Sequence, residues 1–119
     1  MNQFKKILNQ RNQLYNEYTK ILNGLLGLTN KQVLVLTKLL ELSDTTPTTL
    51  SLLNRNNRKE ILESCSIDEC NLSTYLTLFK NKSLLVKDTN GRWSVYKNIR
   101  PIIINNKMQV SFTLEIKNE

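Results

Sequence analysis

RKEILESCSIDECNLSTYLTLFKNKSLLVKDTNGRWSVY, residues 58–96, carries the pattern that decides the fold. Ile61, Leu62 and Cys65 share one side of a helical register, and Leu72, Leu76 and Phe79 recur at steps of four and three. Two short helices with facing apolar stripes are therefore predicted over about residues 57–81, with Ile67 plugging the turn between them. Asp68 precedes the second helix, where its carboxylate can accept the amide of Cys70 or Asn71 as an N-cap. Residues 84–87 and 92–96 then read as two strands, with Leu84, Val86, Trp93 and Val95 as their apolar residues. Between them Asn90-Gly91 predicts a type I′ turn, because both central residues of that turn need positive φ.

Upstream, Thr29 and Gln32 have the spacing of a capping box, which starts a helix carrying Val33, Leu36, Leu39 and Leu40 on its buried face. Residues 42–47 read as a break after that helix, within which Pro47 either begins a short helical turn capped by Thr46 or marks a loop. Leu50, Leu52 and Leu53 fit a short strand against the hairpin or a helical turn. The chain opens on a predicted helix over residues 3–25, with Phe4, Leu8, Arg11, Tyr15, Tyr18, Leu22 and Leu25 alternating steps of four and three. Ile7, Leu14 and Ile21 widen this stripe, and Gly24 and Gly27 are expected to end the helix. Its apolar face either packs on the domain's own core or pairs with its copy in a dimer.

Downstream, Ile99-Arg100-Pro101 breaks the chain. Met108, Val110, Phe112, Leu114 and Ile116 then alternate with Gln109, Ser111, Thr113 and Glu115, which predicts a half-buried strand. Residues 102–104 and the turn at 105–107 make it the second arm of a hairpin. Three segments follow: 1–27 as an amphipathic helix, 28–98 as the central domain and 99–119 as a β extension.

A chain of 119 residues holds one modest core. Its net charge of +7 favours polyanionic partners. The charge is uneven: residues 71–100 contain Lys80, Lys82, Lys87, Arg92, Lys97 and Arg100 against Asp88 alone, whereas residues 41–70 are net acidic. Histidine is absent, and two cysteines at Cys-x4-Cys spacing make no zinc site by themselves. No apolar run approaches the length of a membrane span, and no secretory signal is visible, so a reducing, cytoplasmic setting with no disulfide is expected. Alanine is absent while asparagine, lysine, isoleucine and leucine are heavily used, as in AT-rich coding sequences of phages, plasmids or low-GC bacteria. There is no phosphate-binding loop and no nucleophile elbow, so neither an enzyme nor a cofactor is expected.

Residues 67–85, IDECNLSTYLTLFKNKSLL, resemble the recognition helix and following turn of MarR-type and related winged-helix regulators. Ile67, Asp68, Leu72, Leu76, Phe79, Lys82, Leu84 and Leu85 stand at the matching places, and Ser83 replaces the usual glycine. The resemblance extends over about residues 28–96. The wider outline is similar to small winged-helix proteins of bacteriophages. It implies an α+β fold of winged helix-turn-helix type that binds double-stranded DNA, in transcription control or replication. With Leu72, Leu76 and Phe79 turned inward, Cys70, Asn71, Ser73, Thr74 and Thr77 turn outward, towards base edges in the major groove. Asn71 suits adenine and Thr74 a thymine methyl or a phosphate. Lys80, Lys82, Lys87, Asn90, Arg92 and Lys97 suit phosphates or the minor groove. Trp93 is expected to pack the hairpin onto the core. The outer face has no arginine, the usual reader of guanine. That leaves a second expectation, a structural or interaction protein that uses the same fold to bind protein through its C-terminal strand or its first helix.

Overall fold

Thr29 accepts the amide of Gln32 while the Gln32 carboxamide accepts the amide of Thr29, so the capping box starts α2 as predicted. In the computed structural model, which describes residues 5–10, 12–111 and 113–117, α2 (Asn30–Thr45) is the centre of an α+β fold. It packs against α1 (Asn12–Leu26), α3 (Arg55–Cys65), α4 (Glu69–Asn81) and the second strand of the hairpin β1 (Leu85–Lys87)–β2 (Trp93–Val95). A 3-10 turn (Lys97–Ile99) leads to a second antiparallel hairpin, β3 (Ile103–Ile104)–β4 (Lys107–Met108). Val35, Leu36, Leu39 and Leu40 of α2 meet Ile61, Leu72, Leu76 and Phe79, all almost fully buried. The face predicted for α2 is thus its core face, widened by Val35, Thr37 and Leu42.

The first helix is shorter than its periodicity predicts. It starts at Asn12, and residues 5–10 are not helical. The Gln13 carboxamide accepts the amides of Asn9 and Gln10, and this local bonding competes with a helix ahead of it. Lys6 reaches Glu17 at 2.9 Å, holding that carboxyl below the usual carboxylate range. Phe4 and Arg11, part of the expected stripe, lie outside the described residues. Gly24 is helical and does not end α1. Gly27 does so, at φ +66°, where a left-handed residue closes the helix. Asn23 then accepts the amide of Leu28 and donates to its carbonyl, fixing the turn into α2. Tyr15, Tyr18 and Leu22 pack on the domain's own core, whereas Ile21 and Leu25 remain exposed.

A polar contact lies inside the α1–α2 interface. The Thr19 and Thr37 hydroxyls meet at 2.6 Å, both residues buried: one donates to the other, and the accepting hydroxyl donates its own proton to a carbonyl of its own helix. Being satisfied, the pair lets the helices approach closely without a desolvation penalty.

α3 and α4 form the pair predicted between residues 57 and 81, with α3 beginning two residues earlier. Asp68 accepts the amide of Asn71 at 2.7 Å, so the expected N-cap is present. Each helix ends on a left-handed serine: Ser66 at φ 53° and Ser83 at φ 60°. After α4, the Ser83 amide donates to the Lys80 carbonyl and the Leu84 amide to the Phe79 carbonyl, with Leu84 and Phe79 both buried. This is the Schellman arrangement, and Ser83 takes the place that glycine fills most easily.

The β1–β2 turn is not type I′. Gly91 has positive φ (81°), but Asn90 does not. The Gly91 amide donates to the Asp88 carbonyl, and the Asp88 carboxylate accepts the amides of Asn90 and Arg92. The result is a three-residue loop, a turn over Thr89-Asn90 followed by a left-handed glycine. The aspartate one step before the expected turn captures these amides and moves the turn by a residue. Residues 50–53 form a turn rather than a strand, yet the Leu52 amide donates to the Trp93 carbonyl and the Trp93 amide to Ser51 Oγ.

The expected strand over residues 108–116 is reduced to β4, paired only as Ile103↔Met108 and Ile104↔Lys107. Pro101 leaves the opposing arm two residues long, so the continuation past Met108 has no pairing strand among the described residues. Val110 is half-buried, Leu114 and Ile116 are exposed, and Phe112 lies outside the described residues. Among the described residues no helix is long and apolar enough to cross a membrane.

Candidate nucleic-acid interface

With Leu72, Leu76 and Phe79 buried against α2, the opposite face of α4 points to solvent. Cys70, Asn71, Ser73, Thr74 and Thr77 are all exposed there. The threonine hydroxyl protons are spent on the helix: Thr74 donates to the Cys70 carbonyl at 3.0 Å and Thr77 to the Ser73 carbonyl at 2.9 Å. Their outward chemistry is a methyl group and an acceptor oxygen. Asn71 differs, since only its backbone amide is engaged, by Asp68. Its side chain makes no bond among the described residues and offers both a donor and an acceptor, the pair that a bidentate adenine contact requires.

The hairpin is fastened to the end of α4 through one ring. Lys80 Nζ lies 4.4 Å from the Trp93 ring centroid and Lys87 Nζ lies 5.8 Å from it. The indole face attracts both ammonium groups. It also keeps the hairpin against the domain, since Trp93 packs on the core and its carbonyl and amide are held by Leu52 and Ser51. The packing role expected of Trp93 is thus its position here. Lys82 caps α4 and is exposed, Asn90 is exposed at the hairpin tip, and Arg92 is half-buried beside it. Lys97 stands apart from this group. It lies on the 3-10 turn beyond β2, and the Ile99 carbonyl of that turn accepts from the Tyr18 hydroxyl of α1 at 2.6 Å.

A second basic group was not singled out from the sequence. Arg55, Arg58 and Lys59 occupy the first turns of α3, and Arg58 forms an ion pair with Glu69 in the first turn of α4. With Leu62 and Glu69, these three residues line one surface depression. Cations therefore stand at both ends of the exposed α4 face. Their signal was present as an i, i+3, i+4 spacing, but the net acidity of residues 41–70 concealed it. Glu60, one of those acids, is engaged elsewhere by Lys38 at 3.1 Å. Asp68 and Glu69 suit the positive end of the α4 dipole, and Arg58 offsets the charge Glu69 would present to a polyanion.

Cys65 is buried, Cys70 is exposed, and neither is in a disulfide. Burial pushes the Cys65 thiol up from its usual range. Among the described residues no three His, Cys, Asp or Glu side chains are grouped to hold a metal ion. Comparison with protein families, with characterised proteins and with solved structures finds no significant match to this chain.

Proposed function

We propose that this chain is a winged-helix protein that binds duplex DNA as a homodimer, in transcription control or replication. The observation that carries this is the exposed polar face of α4 with cationic groups at both ends, Arg55, Arg58 and Lys59 at one and Lys80, Lys82, Lys87 and Arg92 at the other. α4 enters the major groove and β1–β2 is the wing. Asn71 reads adenine, the methyl groups of Thr74 and Thr77 contact thymine or sugar, and the flanking cations hold the phosphates on either side. Trp93 keeps Lys80 and Lys87 oriented, which lowers the entropy lost on binding.

Selection from random duplex DNA, followed by a salt titration, tests this. An enriched palindromic motif is expected, and log K should fall against log[salt] with a slope of about −0.9 for each phosphate neutralised. For ~4–6 contacts per protomer the loss across a few-fold change in salt reaches orders of magnitude. Asn71→Ala should weaken binding by about 1–3 kcal/mol at one A·T pair only. Absence of binding at low salt would overturn the proposal. The second reading, a protein-binding module of the same fold, is favoured by the exposed Leu114 and Ile116. It predicts that Asn71→Ala changes nothing, while a charge placed at Val110 disrupts assembly.

A further inference from the structure

The segment that follows β4 alternates apolar and polar residues as a strand does, but it pairs with nothing among the described residues. Ile103 and Met108 oppose each other in the β3–β4 ladder and, with Val110, pack against the core. Further along, Leu114 and Ile116 are 86% and 92% exposed. Alternation assigns them to the same face as Met108 and Val110, a face that starts on the core and runs off its edge. The described backbone from Gln109 to Lys117 makes no backbone hydrogen bond outside the short ladder. An unpaired edge with one apolar face is a template for another strand.

We infer that residues 107–115 pair antiparallel with the same residues of a second copy, about a two-fold axis at Ser111. This rests on the homodimer proposed above and names its surface. Opposed residues in an antiparallel ladder share a face. With the axis at Ser111, Lys107 opposes Glu115, Met108 opposes Leu114, and Gln109 opposes Thr113. Apolar meets apolar, polar meets polar, and a Lys–Glu pair closes each end. Moving the axis to 112 sets Lys107 against Lys117. Moving it to 110 sets Lys107 against Thr113 and Glu115 against Asn105. Charge complementarity therefore selects Ser111.

The same register deals with the exposed leucine. Leu114 of one copy is brought over Met108 of the other, beside the Val110 and Ile103 that already lie on that copy's core. The two hairpins become one continuous sheet, in which residues 107–115 of the two copies pair at the centre and β3 of each copy lies outside them. The interface is isologous and closes on itself, so it stops at two copies.

Sedimentation velocity of the full chain at micromolar concentration tests the register through two exposed residues. Glu115→Lys and Lys107→Glu should each weaken dimerisation about tenfold, because each turns two attractive cross-strand pairs into repulsive ones. The combined swap Lys107→Glu with Glu115→Lys should restore it, and circular dichroism should be the same for all three. In a Cys70→Ser background, Ser111→Cys should form a disulfide-linked dimer on mild oxidation, whereas Gln109→Cys should not. A wild-type monomer would overturn the inference. So would a dimer indifferent to both charge reversals, which would move the interface to the exposed Ile21 and Leu25 of α1. Duplex binding measured on the same wild-type sample separates the two ideas: a monomer that binds DNA leaves the DNA proposal standing, and a charge-sensitive dimer that does not bind leaves the strand pairing standing.

Discussion

In β3–β4 the turn residues Asn105 and Asn106 both take positive φ, 52° and 61°, as a type I′ turn requires, yet the ladder is two residues long on each side. β1–β2 turns through a looser three-residue loop but pairs three residues and continues further: Leu85 and Val95 are buried, the Tyr96 amide reaches the Leu84 carbonyl, and Trp93 is tied to residues 51 and 52. Between the two hairpins, the better turn has the shorter ladder. Turn chemistry chooses the register, while the apolar surface beneath the strands decides how far they extend. β1–β2 lies on α2 and α4. Only the inner face of β3–β4 reaches the core, and Ile102 and Ile104 stand in solvent at 70% and 64% exposure.

The largest test of that contrast is a pair of truncations. Leu85→Ala should destabilise the protein by about 2–5 kcal/mol in urea unfolding, as buried leucine truncations do. Ile104→Ala should change it by less than about 0.5 kcal/mol, as surface changes do. Equal effects would mean that β3–β4 is anchored as firmly as β1–β2.

A smaller effect is expected at the left-handed residues. Gly91→Ala places a side chain at φ +81° and should cost about 1–2 kcal/mol. Ser83→Gly should gain about 0.5–1 kcal/mol, because Ser83 already holds a conformation that suits glycine. A loss on Ser83→Gly would show that the serine side chain contributes to the turn.

The mildest effect is alkaline. Burial raises the ionisation of Tyr18 above 10.0 and of Cys65 above 9.0. Both groups are neutral in the folded and unfolded chain at lower pH, so no stability is lost there. As pH rises through 9 and 10 the unfolded chain releases these protons first and gains stability relative to the folded one. The urea midpoint should therefore fall steadily above about pH 9. Tyr18→Phe should flatten the upper part of that fall, and an unchanged profile would remove Tyr18 as its source.

Much of this fold was legible because periodicity reports burial. The Leu72, Leu76, Phe79 stripe, the α2 face and the Thr29 and Asp68 caps are all where their spacing placed them. Three features were not legible, each for a physical reason. Thr19 and Thr37 read as polar, and their hydrogen bonds to each other and to helix carbonyls make them core residues. Asp88 drew the turn away from Asn90-Gly91 by accepting two amides, a competition that turn propensity alone does not weigh. Alternation over residues 108–116 describes a side-chain pattern, but a strand also needs a neighbour, and none pairs with the segment past Met108 among the described residues. For the candidate interface, the α4 face followed directly from its buried stripe. The α3 cations were hidden by averaging charge along the chain instead of around the helix.

The bond from Tyr18 to the Ile99 carbonyl spans 81 residues, and Asp44 is bonded by both Tyr15 and Arg100. These contacts join α1 to the chain just beyond the β1–β2 hairpin, so they close the domain into a ring. Ring closure over such a separation is entropically the last to be rewarded during folding, after the helical pairs and the hairpin have shortened the loop. The clasp should therefore be absent from the folding transition state. Tyr18→Phe would leave the refolding rate nearly unchanged and speed unfolding several-fold in stopped-flow experiments, since a bond worth about 1 kcal/mol is lost from the native side alone. The lifetime of the native state, rather than the speed of reaching it, is what this clasp should control.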